Sequence, residues 1–210
     1  MKTAIFITIR MDSSRLPNKT MKEILGKPVL EHIVQRAKLA RKFDEIIVCT
    51  TERTVDDQIA ELAVRAGAKV FRGSLEDKLE RWNGAAKEYG IDYIVTFDGD
   101  DLFCDPYLLD KGAEQIREGK YDFIEAPEGL ICGAFTYAFT AKALAKVCEI
   151  KGSTDTEMMW TYFKDTGLFN TGCLEVVEDI YFSDNYRLTL DYQEDFDFFT
   201  TVFEHFNCKN

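Results

Sequence analysis

The loop after the first apolar segment carries the residues best suited to bind a highly charged anion. Residues 10–19 contain two hydroxyls and three cations: Ser13, Ser14, Arg10, Arg15 and Lys19. A guanidinium contacts a phosphate through two hydrogen bonds, a lysine adds a point charge, and N–H groups of a curved loop add further donors. An exposed basic loop is the alternative interpretation. Because the loop follows a predicted first strand, and open α/β sheets bind ligands beyond the carboxyl ends of their strands, the pattern predicts phosphate binding.

Aspartates follow two other predicted strands. Asp98, Asp100 and Asp101 come directly after the segment Asp92–Phe97, and Asp191 follows the segment Arg187–Leu190. Carboxylate oxygens suit Mg²⁺ or Mn²⁺, which take one or two of them together with phosphate oxygens and water. An acidic turn that caps the next helix is the alternative for the first cluster. A second strand-terminal aspartate favours a metal site, so we expect Asp100 and Asp191 to bind one ion.

Composition and charge exclude several classes of protein. The 210 residues are 46% hydrophobic and 30% charged, which is typical of a globular domain, and the net charge of −11 argues against a nucleic-acid surface. An acidic protein can still bind polyphosphate where local cations and a divalent metal reverse the field. No apolar run approaches the roughly 20 residues of a membrane helix, and the N-terminus does not resemble a signal peptide. The six cysteines lack CxxC spacing. We therefore expect a cytoplasmic protein with free thiols and no membrane partner.

The first half of the chain alternates between strand and helix patterns, which positions these loops at strand ends. Strands are predicted at Thr3–Ile9, Glu45–Thr50, Lys69–Phe71 and Asp92–Phe97. Helices are predicted at Val29–Leu39, Asp56–Ala66, Leu75–Tyr89 and from Asp105 to Glu118. This alternation predicts an α/β fold with a mostly parallel, doubly wound, Rossmann-like sheet and right-handed crossovers.

The pattern changes after Tyr121, where a smaller mixed α+β region is predicted. Its strands are expected at Phe123–Ile124, Gly133–Thr140, Leu174–Val177 and Arg187–Leu190. Its helices are expected at Ala141–Cys148, Thr156–Phe163 and Glu194–Phe206. No linker or repeat interrupts the chain, so residues 1–210 are predicted to be one domain. Residues 1–120 form its nucleotide-binding half and residues 121–210 form the half that binds the acceptor.

With these motifs in view, the chain resembles the CTP-dependent sugar cytidylyltransferases. The nearest group is the spore-coat-polysaccharide-type proteins, which are related to 3-deoxy-manno-octulosonate and acylneuraminate cytidylyltransferases. The resemblance covers most of the chain. It rests on Arg10 with Ser13–Lys19, Leu25–Leu30, Asp44–Val48, Val70–Ser74, Gly99-Asp100 with Asp105-Pro106, and Arg187–Asp191.

This resemblance implies a nucleotide-diphospho-sugar transferase-like fold and a set of site residues. Ile9, Arg10, Met11, Ser13 and Ser14 would hold the CTP triphosphate, while Arg15 and Lys19 would neutralise its α- and β-phosphates. Arg72 and Ser74 would contact the base and ribose, and Asp98 would lie near the base. Asp100 and Asp191 would hold Mg²⁺, with Mn²⁺ as a substitute. A sugar hydroxyl would attack the α-phosphorus and release pyrophosphate, with Arg15, Lys19 and Asp100 as the catalytic residues.

The chain departs from the family pattern at four positions. Asp12 and Asn18 stand where relatives commonly have Gly, and Ile9 replaces a smaller residue. Asn adopts a positive φ more readily than most residues, so the loop can keep its path at Asn18. Asp98 stands where relatives often have Gln or Thr. Its carboxylate could accept from the cytosine amino group or serve as a third metal ligand.

The acceptor half gives weaker signals. Glu157 falls where relatives often carry Glu-His and is a candidate acceptor contact, although a capped amphipathic helix with Trp160 in the core explains the same segment. Tyr137 is a second candidate, with core packing or a dimer contact as its alternatives. His32 and His205 are assigned to structure or surface. A homodimer is expected from the resemblance.

The sequence therefore predicts a Mg²⁺-dependent cytidylyltransferase that activates a sugar or sugar acid for surface-polysaccharide synthesis. One alternative is a GT-A-type glycosyltransferase that uses a nucleotide-sugar through the short pattern Asp98-Gly99-Asp100. The strong cations at Arg15 and Lys19 argue against it, because they suit phosphates beyond the α-position. The other alternative is a catalytically silent nucleotide-binding subunit.

Overall fold

The computed structural model describes residues 1–206, and its first half alternates between strand and helix as predicted. The strands are β1 (Thr3–Thr8), β2 (Glu23–Ile24), β3 (Lys27–Pro28), β4 (Glu45–Thr51), β5 (Lys69–Gly73) and β6 (Tyr93–Asp98). The helices are α1 (Val29–Ala37), α2 (Asp57–Arg65), α3 (Lys78–Tyr89) and α4 (Pro106–Arg117). Every predicted element of this half is present, with ends shifted by at most three residues.

The second half contains three more strands and three more helices. In chain order they are β7 (Phe123–Glu125), β8 (Tyr137–Thr140), α5 (Ala141–Ile150), α6 (Thr161–Lys164), β9 (Thr171–Cys173) and α7 (Gln193–Phe206). Within residues 1–206, no helix is both long and apolar enough to cross a bilayer. The five cysteines in the same range form no disulfide, and Cys208 lies outside the described residues.

Seven strands form one sheet in the order β5-β4-β1-β6-β8-β7-β9. β1 pairs in parallel with both β4 and β6, and β4 pairs in parallel with β5. β8 is antiparallel to both β6 and β7, whereas β9 is parallel to β7. The predicted mostly parallel α/β sheet is confirmed. The loops that follow β1, β4, β5 and β6 therefore meet at one edge of the sheet.

Alternate residues of β1 enter two hydrophobic clusters on the two faces of the sheet. Ile5 and Ile7 pack in one cluster with α1 and α4, and Phe6 packs in the other with α3 and α5. All three side chains are fully buried. A strand covered on both faces must be apolar throughout, which explains the continuous apolar run at the start of the chain.

Helices α3 and α4 each begin after an aspartate whose side chain caps the helix. Asp77 accepts a 3.0 Å hydrogen bond from the N–H of Glu80 at the start of α3, and Gly90 ends that helix with φ +64°. Asp105 accepts a 2.8 Å hydrogen bond from the N–H of Tyr107, and Pro106 occupies the first turn of α4. The capping aspartate explains why α3 starts at Lys78 rather than at the predicted Leu75.

Four predictions for the second half were wrong or too long, and three of them concern residues after 155. The strand predicted at Leu174–Val177 lies earlier, at Thr171–Cys173, and the predicted helix Thr156–Phe163 is helical only from Thr161. Arg187–Leu190 is not a sheet strand. It runs beside loops instead, with the N–H of Leu188 donating to the carbonyl of Cys132 at 2.8 Å and the N–H of Leu190 donating to the carbonyl of Asp100 at 2.7 Å.

The predicted strand Gly133–Thr140 pairs in the sheet only from Tyr137 onward. Gly133 has φ +93°, and a Cβ there would lie 2.5 Å from the carbonyl oxygen of Leu188. The chain is therefore too tightly packed against the 187–190 segment to pair with another strand at that point.

Candidate active site

A cavity of about 320 Å³ opens at the carboxyl ends of β1 and β6. Its lining comes from three regions of the chain, with one residue from a fourth. They are Thr8, Ile9, Arg10, Asp12, Ser13, Ser14, Arg15 and Lys19; Lys78 and Arg81; Asp98, Gly99 and Asp100; and Glu157. Five of the nine charged side chains among them are cationic before ion pairs are considered, so the cavity suits an anion in a protein whose net charge is −11.

The basic loop, residues 10–19, keeps a tight path by local hydrogen bonds. The N–H of Ser13 donates to the carbonyl of Met11 at 2.9 Å, and the N–H of Leu16 donates to Oγ of Ser13 at 3.1 Å. Asn18 has φ +56°, as expected for a residue that replaces Gly. Its left-handed backbone starts the short helical turn Lys19–Met21, which directs Lys19 toward the aspartates.

Lys19 links the two predicted metal-binding aspartates. Its Nζ lies 3.2 Å from Oδ2 of Asp100 and 3.7 Å from Oδ1 of Asp191, and it donates to the carbonyl of Leu190 at 2.8 Å. Arg15 approaches the same carboxylate, with Nη2 2.6 Å from Oδ1 of Asp191. The structure thus brings together two residues from the start of the chain, one from its middle and one from near its end.

Asp191 is held in place by neighbours that the sequence analysis did not identify. Nη1 of Arg187 donates to its Oδ2 at 2.9 Å, and Oδ2 of Asp195 accepts from the N–H groups of Asp191 and Tyr192, each at 2.8 Å. Burial raises the pKa of Asp195, but the two N–H groups and Arg187 outweigh it and hold that pKa below its usual value. Asp195 therefore stays ionised and fixes the turn that carries Asp191.

Burial and mutual repulsion raise the pKa values of two aspartates after β6, Asp100 and Asp101. Burial raises the pKa of Asp100, with Lys19 opposing the change and Asp98 and Asp191 adding to it. Asp101 is buried, and burial together with Asp100 raises its pKa well above the usual range. A cation bound between these carboxylates would relieve this repulsion.

The carboxylates of Asp100 and Asp191 fit a magnesium ion whose other coordination positions are filled by phosphate oxygens and water. Asp100 and Asp191 both contact the ammonium of Lys19, so their carboxylates lie within reach of one cation. Within residues 1–206 no group of three or more potential metal-ligating side chains occurs. Mg²⁺ commonly takes one or two carboxylates and completes its shell with phosphate oxygens and water, so a two-carboxylate set is sufficient.

Gly99 lets the Asp98-Gly99-Asp100 segment pack directly on β1. Its N–H donates to the carbonyl of Thr8 at 2.9 Å. A Cβ at this position would lie 2.6 Å from Cγ1 of Ile9 and 2.7 Å from the carbonyl oxygen of Thr8. The close approach places both aspartates beside the basic loop and requires glycine between them.

Two cations on α3 form a wall of the cavity that the sequence analysis missed. Nζ of Lys78 lies 3.5 Å from Oδ1 of Asp98 and 5.0 Å from the ring centre of Trp82. Arg81 is only 3% exposed, and its Nη1 donates to the carbonyls of Ser74 and Leu75. Burial lowers the pKa of Arg81. The available signal was the i, i+3 spacing of these cations in the first turn after the capping Asp77.

The two candidate acceptor contacts lie in different surroundings. Oε2 of Glu157 lies 3.8 Å from Nη2 of Arg10, so this side chain lines the cavity. The ring of Tyr137 stacks on Phe123 at 5.3 Å and on Trp160 at 6.3 Å, and burial raises its pKa to about 12. Tyr137 is therefore part of the aromatic packing between β7, β8 and α6, rather than of the cavity lining.

Most of the predicted site residues line the cavity; four besides Asp191 do not, namely Met11, Arg72, Ser74 and Tyr137. Arg72 donates to the carbonyls of Thr51 and Arg53 and pairs with Asp57 at 2.6 Å. Oγ of Ser74 accepts from the N–H of Asp77 at 3.1 Å. Contacts of Arg72 and Ser74 with a base and ribose stay predictions. Asp191 does not line the cavity either but reaches it through Arg15 and Lys19.

Comparison with known proteins identifies the family. The sequence model of the cytidylyltransferase family matches residues 4–199, nearly the whole chain. This protein belongs to the cytidylyltransferase family. A solved cytidylyltransferase from Leptospira borgpetersenii serovar Hardjo-bovis is 30% identical to it, with a TM-score of 0.87 and coverage of 98% of this chain and 87% of that one.

Two curated relatives of this cytidylyltransferase carry functional names. Spore coat polysaccharide biosynthesis protein SpsF of Bacillus subtilis is 27% identical over 208 residues, which are 94% of this chain and 85% of the relative. The 3-deoxy-manno-octulosonate cytidylyltransferase of Geobacter sulfurreducens is 29% identical over 120 residues, which are 56% of this chain and 46% of the relative. The predicted resemblance to this group is confirmed.

Proposed function

We propose that this cytidylyltransferase transfers CMP from CTP to a hydroxyl of a sugar acid, releases pyrophosphate and depends on Mg²⁺. The observation that carries the proposal is the position of Lys19, whose ammonium contacts both Asp100 and Asp191 at the end of the basic loop. A triphosphate bound along this loop would meet cations and metal-binding carboxylates together. The name of the Geobacter relative supports a sugar acid as the acceptor.

The proposed reaction is displacement at the α-phosphorus. The acceptor oxygen forms a bond to that phosphorus while the bond to the bridging oxygen breaks, and the electron pair leaves with pyrophosphate. Arg15 and Lys19 would neutralise the charge that develops on the phosphoryl oxygens and on the leaving group. The cations need not move far, because both already lie at the mouth of the cavity in ion pairs with aspartates.

Asp100 and Asp191 would hold the magnesium ion, which would supply charge neutralisation at the phosphate oxygens. If these carboxylates held the metal, Arg15 and Lys19 would be available to phosphate in place of their present partners. These ion pairs with Asp100 and Asp191 hold both cations beside the proposed triphosphate site.

Glu157 and the two cations of α3 line the part of the cavity away from Arg15 and Lys19. Arg10, Lys78 and Arg81 line this part together with the carboxylates of Glu157 and Asp98. We assign the base and the acceptor to this mixed wall, because it offers both donors and acceptors of hydrogen bonds. The name of the Bacillus relative supports a role in polysaccharide biosynthesis.

The test is pyrophosphate release from each of the four nucleoside triphosphates, with Mg²⁺ and with 3-deoxy-manno-octulosonate or an acylneuraminate as acceptor. We expect release only with CTP and one class of acceptor, together with a product whose mass is that of the CMP ester. Transfer of a sugar from a nucleotide-sugar would support the glycosyltransferase alternative instead. Binding of CTP without turnover on any acceptor would support a silent subunit. The homodimer and the cytoplasmic location stay predictions.

A further inference from the structure

A buried carboxylate from another part of the sheet holds the start of the basic loop. Asp56, just before α2, is fully buried, and its Oδ1 accepts a 2.8 Å hydrogen bond from the N–H of Met11. Its Oδ2 accepts from the hydroxyl of Thr51, the last residue of β4. Burial of a carboxylate raises the free energy of the folded state unless its oxygens accept hydrogen bonds. The folded protein is therefore expected to keep the contact between Asp56 and Met11.

Arg53 makes a second contact to the same loop. Its guanidinium donates to the carboxylate of Asp12 and lies 3.6 Å from Oδ2 of Asp56. The hydrogen bond from Arg53 lowers the pKa of Asp12, which therefore stays ionised and paired. The acidic residue that stands where relatives commonly have Gly is thus neutralised by a cation from the β4–α2 turn.

We propose that Asp56 and Arg53 are positioning residues that fix the basic loop in its nucleotide-binding conformation before the nucleotide arrives. Neither side chain lines the cavity, so we assign both an indirect role that acts through the loop. They act on Met11 and Asp12, which lie between Arg10 and the hydroxyls of Ser13 and Ser14. The proposal rests on the proposed function in one respect, which is that the ligand of this loop is CTP with Mg²⁺.

Preorganisation is the physical reason for such an arrangement. A free loop must be ordered when it binds, and the entropy lost in that step weakens the affinity. Two anchors from β4–α2 would reduce this cost, because they hold the N–H of Met11 and the carboxylate of Asp12. Their loss should weaken CTP binding even at temperatures where the protein is fully folded.

The chain supplies a matched control at the opposite end of β1. Oδ2 of Asp44 accepts a 2.8 Å hydrogen bond from the N–H of Thr3, the first residue of that strand. Both aspartates therefore accept from a backbone N–H at or just beyond an end of β1, and both lie in segments that flank β4. Only Asp56 does so at the end that carries the basic loop.

The experiment compares Asp56→Ala, Asp56→Asn and Asp44→Ala with the unchanged protein. Calorimetric titration with CTP and Mg²⁺ should show about tenfold weaker binding for Asp56→Ala and less than about twofold change for Asp44→Ala. Asp56→Asn should restore most of the affinity, because its amide oxygen can still accept from Met11. Hydrogen–deuterium exchange of the free proteins should be faster in peptides covering residues 9–19 for Asp56→Ala alone.

Arg53→Met keeps the test decisive if Asp56→Ala does not fold, since Arg53 is partly exposed. It should bind CTP about threefold more weakly and exchange faster over the same peptides. Unchanged affinity and unchanged exchange in the folded variants would overturn the proposal. If the unchanged protein binds no CTP, the proposed function fails, and exchange in the free proteins still decides whether these residues hold the loop.

Discussion

Nη2 of Arg15 donates a 2.6 Å hydrogen bond to Oδ1 of Asp191, a residue 176 positions further along the chain. The guanidinium also lies 5.4 Å from the ring centre of Tyr192. These contacts join the basic loop after β1 to the turn before α7. The candidate site is therefore completed only when the last segment of the chain packs against the first loop.

Lys19→Met should strongly reduce activity, because it removes the ammonium that joins the loop to Asp100 and Asp191. By comparison with other preorganised charges, we expect kcat to fall about 100-fold or more. Steady-state pyrophosphate release with CTP, Mg²⁺ and the accepted sugar acid measures this. Lys42→Met is the control. Nζ of Lys42 lies 2.7 Å from Oε1 of Glu114, and neither residue lines the cavity. Equal activity of the two variants would contradict the assigned role.

Asp191→Asn should raise the magnesium requirement. An amide cannot balance the charge of Mg²⁺, so the concentration needed for half-maximal rate should rise by at least about tenfold. A Mg²⁺ titration at saturating CTP measures it, and removal of the metal with a chelator should stop turnover of the unchanged protein. Asp110→Asn is the control, because Oδ1 of Asp110 accepts hydrogen bonds from the backbone N–H groups of Arg41 and Lys42, outside the cavity. An unaltered Mg²⁺ curve would show that Asp191 is not a ligand.

Gly99→Ala should destabilise the protein by about 1–3 kcal/mol, because the added methyl group would overlap Ile9 and the carbonyl of Thr8. It should also lower activity by displacing the flanking aspartates. Urea unfolding and pyrophosphate release measure the two effects. Gly152→Ala should leave both unchanged, since no atom lies within 4 Å of a Cβ there.

Stability should fall as the pH drops below about 6.5, in part because of His32. This side chain is buried, its Nε2–H donates to the carbonyl of Ile24 at 2.8 Å, and burial lowers its pKa. Between the lowered folded pKa and the ordinary unfolded value, the unfolded chain binds more protons. The contribution of neutral His32 is therefore complete above about pH 6.5 and is lost as the pH falls through the folded pKa.

Urea unfolding at several pH values between 7.5 and 5 tests this expectation. His32→Gln keeps a donor to Ile24 but cannot titrate, so it should show a flatter dependence on pH than the unchanged protein. His205→Gln is the control, because His205 is exposed. Identical pH dependence in His32→Gln and the unchanged protein would contradict the prediction.

The sheet was predictable where local pattern and tertiary environment agree. β1, β4 and β6 are buried on both faces, so their continuous apolar runs identify them as strands. Gly90 marks the end of α3, and Pro106 marks the start of α4. The strand order could not be read from these runs. It depends on β8 inserting antiparallel beside β6, a long-range pairing with no local signal.

The segment before Asp191 shows where sequence patterns mislead. Leu188 and Leu190 alternate with polar residues, as in a half-buried strand, and the backbone is indeed hydrogen bonded. Its partners are the carbonyls of Cys132 and Asp100 in loops, however, rather than a neighbouring strand. Alternation reports which side chains are buried and does not identify the partner of the backbone.

The residues of the site were predictable where several chemical types lay close together in the sequence, as in the basic loop. Lys78 and Arg81 were missed because isolated cations on a helix usually face solvent, and only the packing of α3 against β5 buries Arg81. Arg72 was predicted to contact the base and ribose, but it lies in β5 and its guanidinium binds the carbonyls of Thr51 and Arg53 and the carboxylate of Asp57. Such choices among partners depend on distances that the sequence does not contain.

The position of Asp191 also has a consequence during protein synthesis. Within residues 1–206 the nine strands end by Cys173, so a nascent polypeptide that has emerged only that far already holds every strand of the described sheet. It still lacks the carboxylate that meets Arg15 and Lys19. Catalytic competence should thus arrive only after the segment that carries Asp191 has emerged, and a translation product truncated before this residue should not consume CTP.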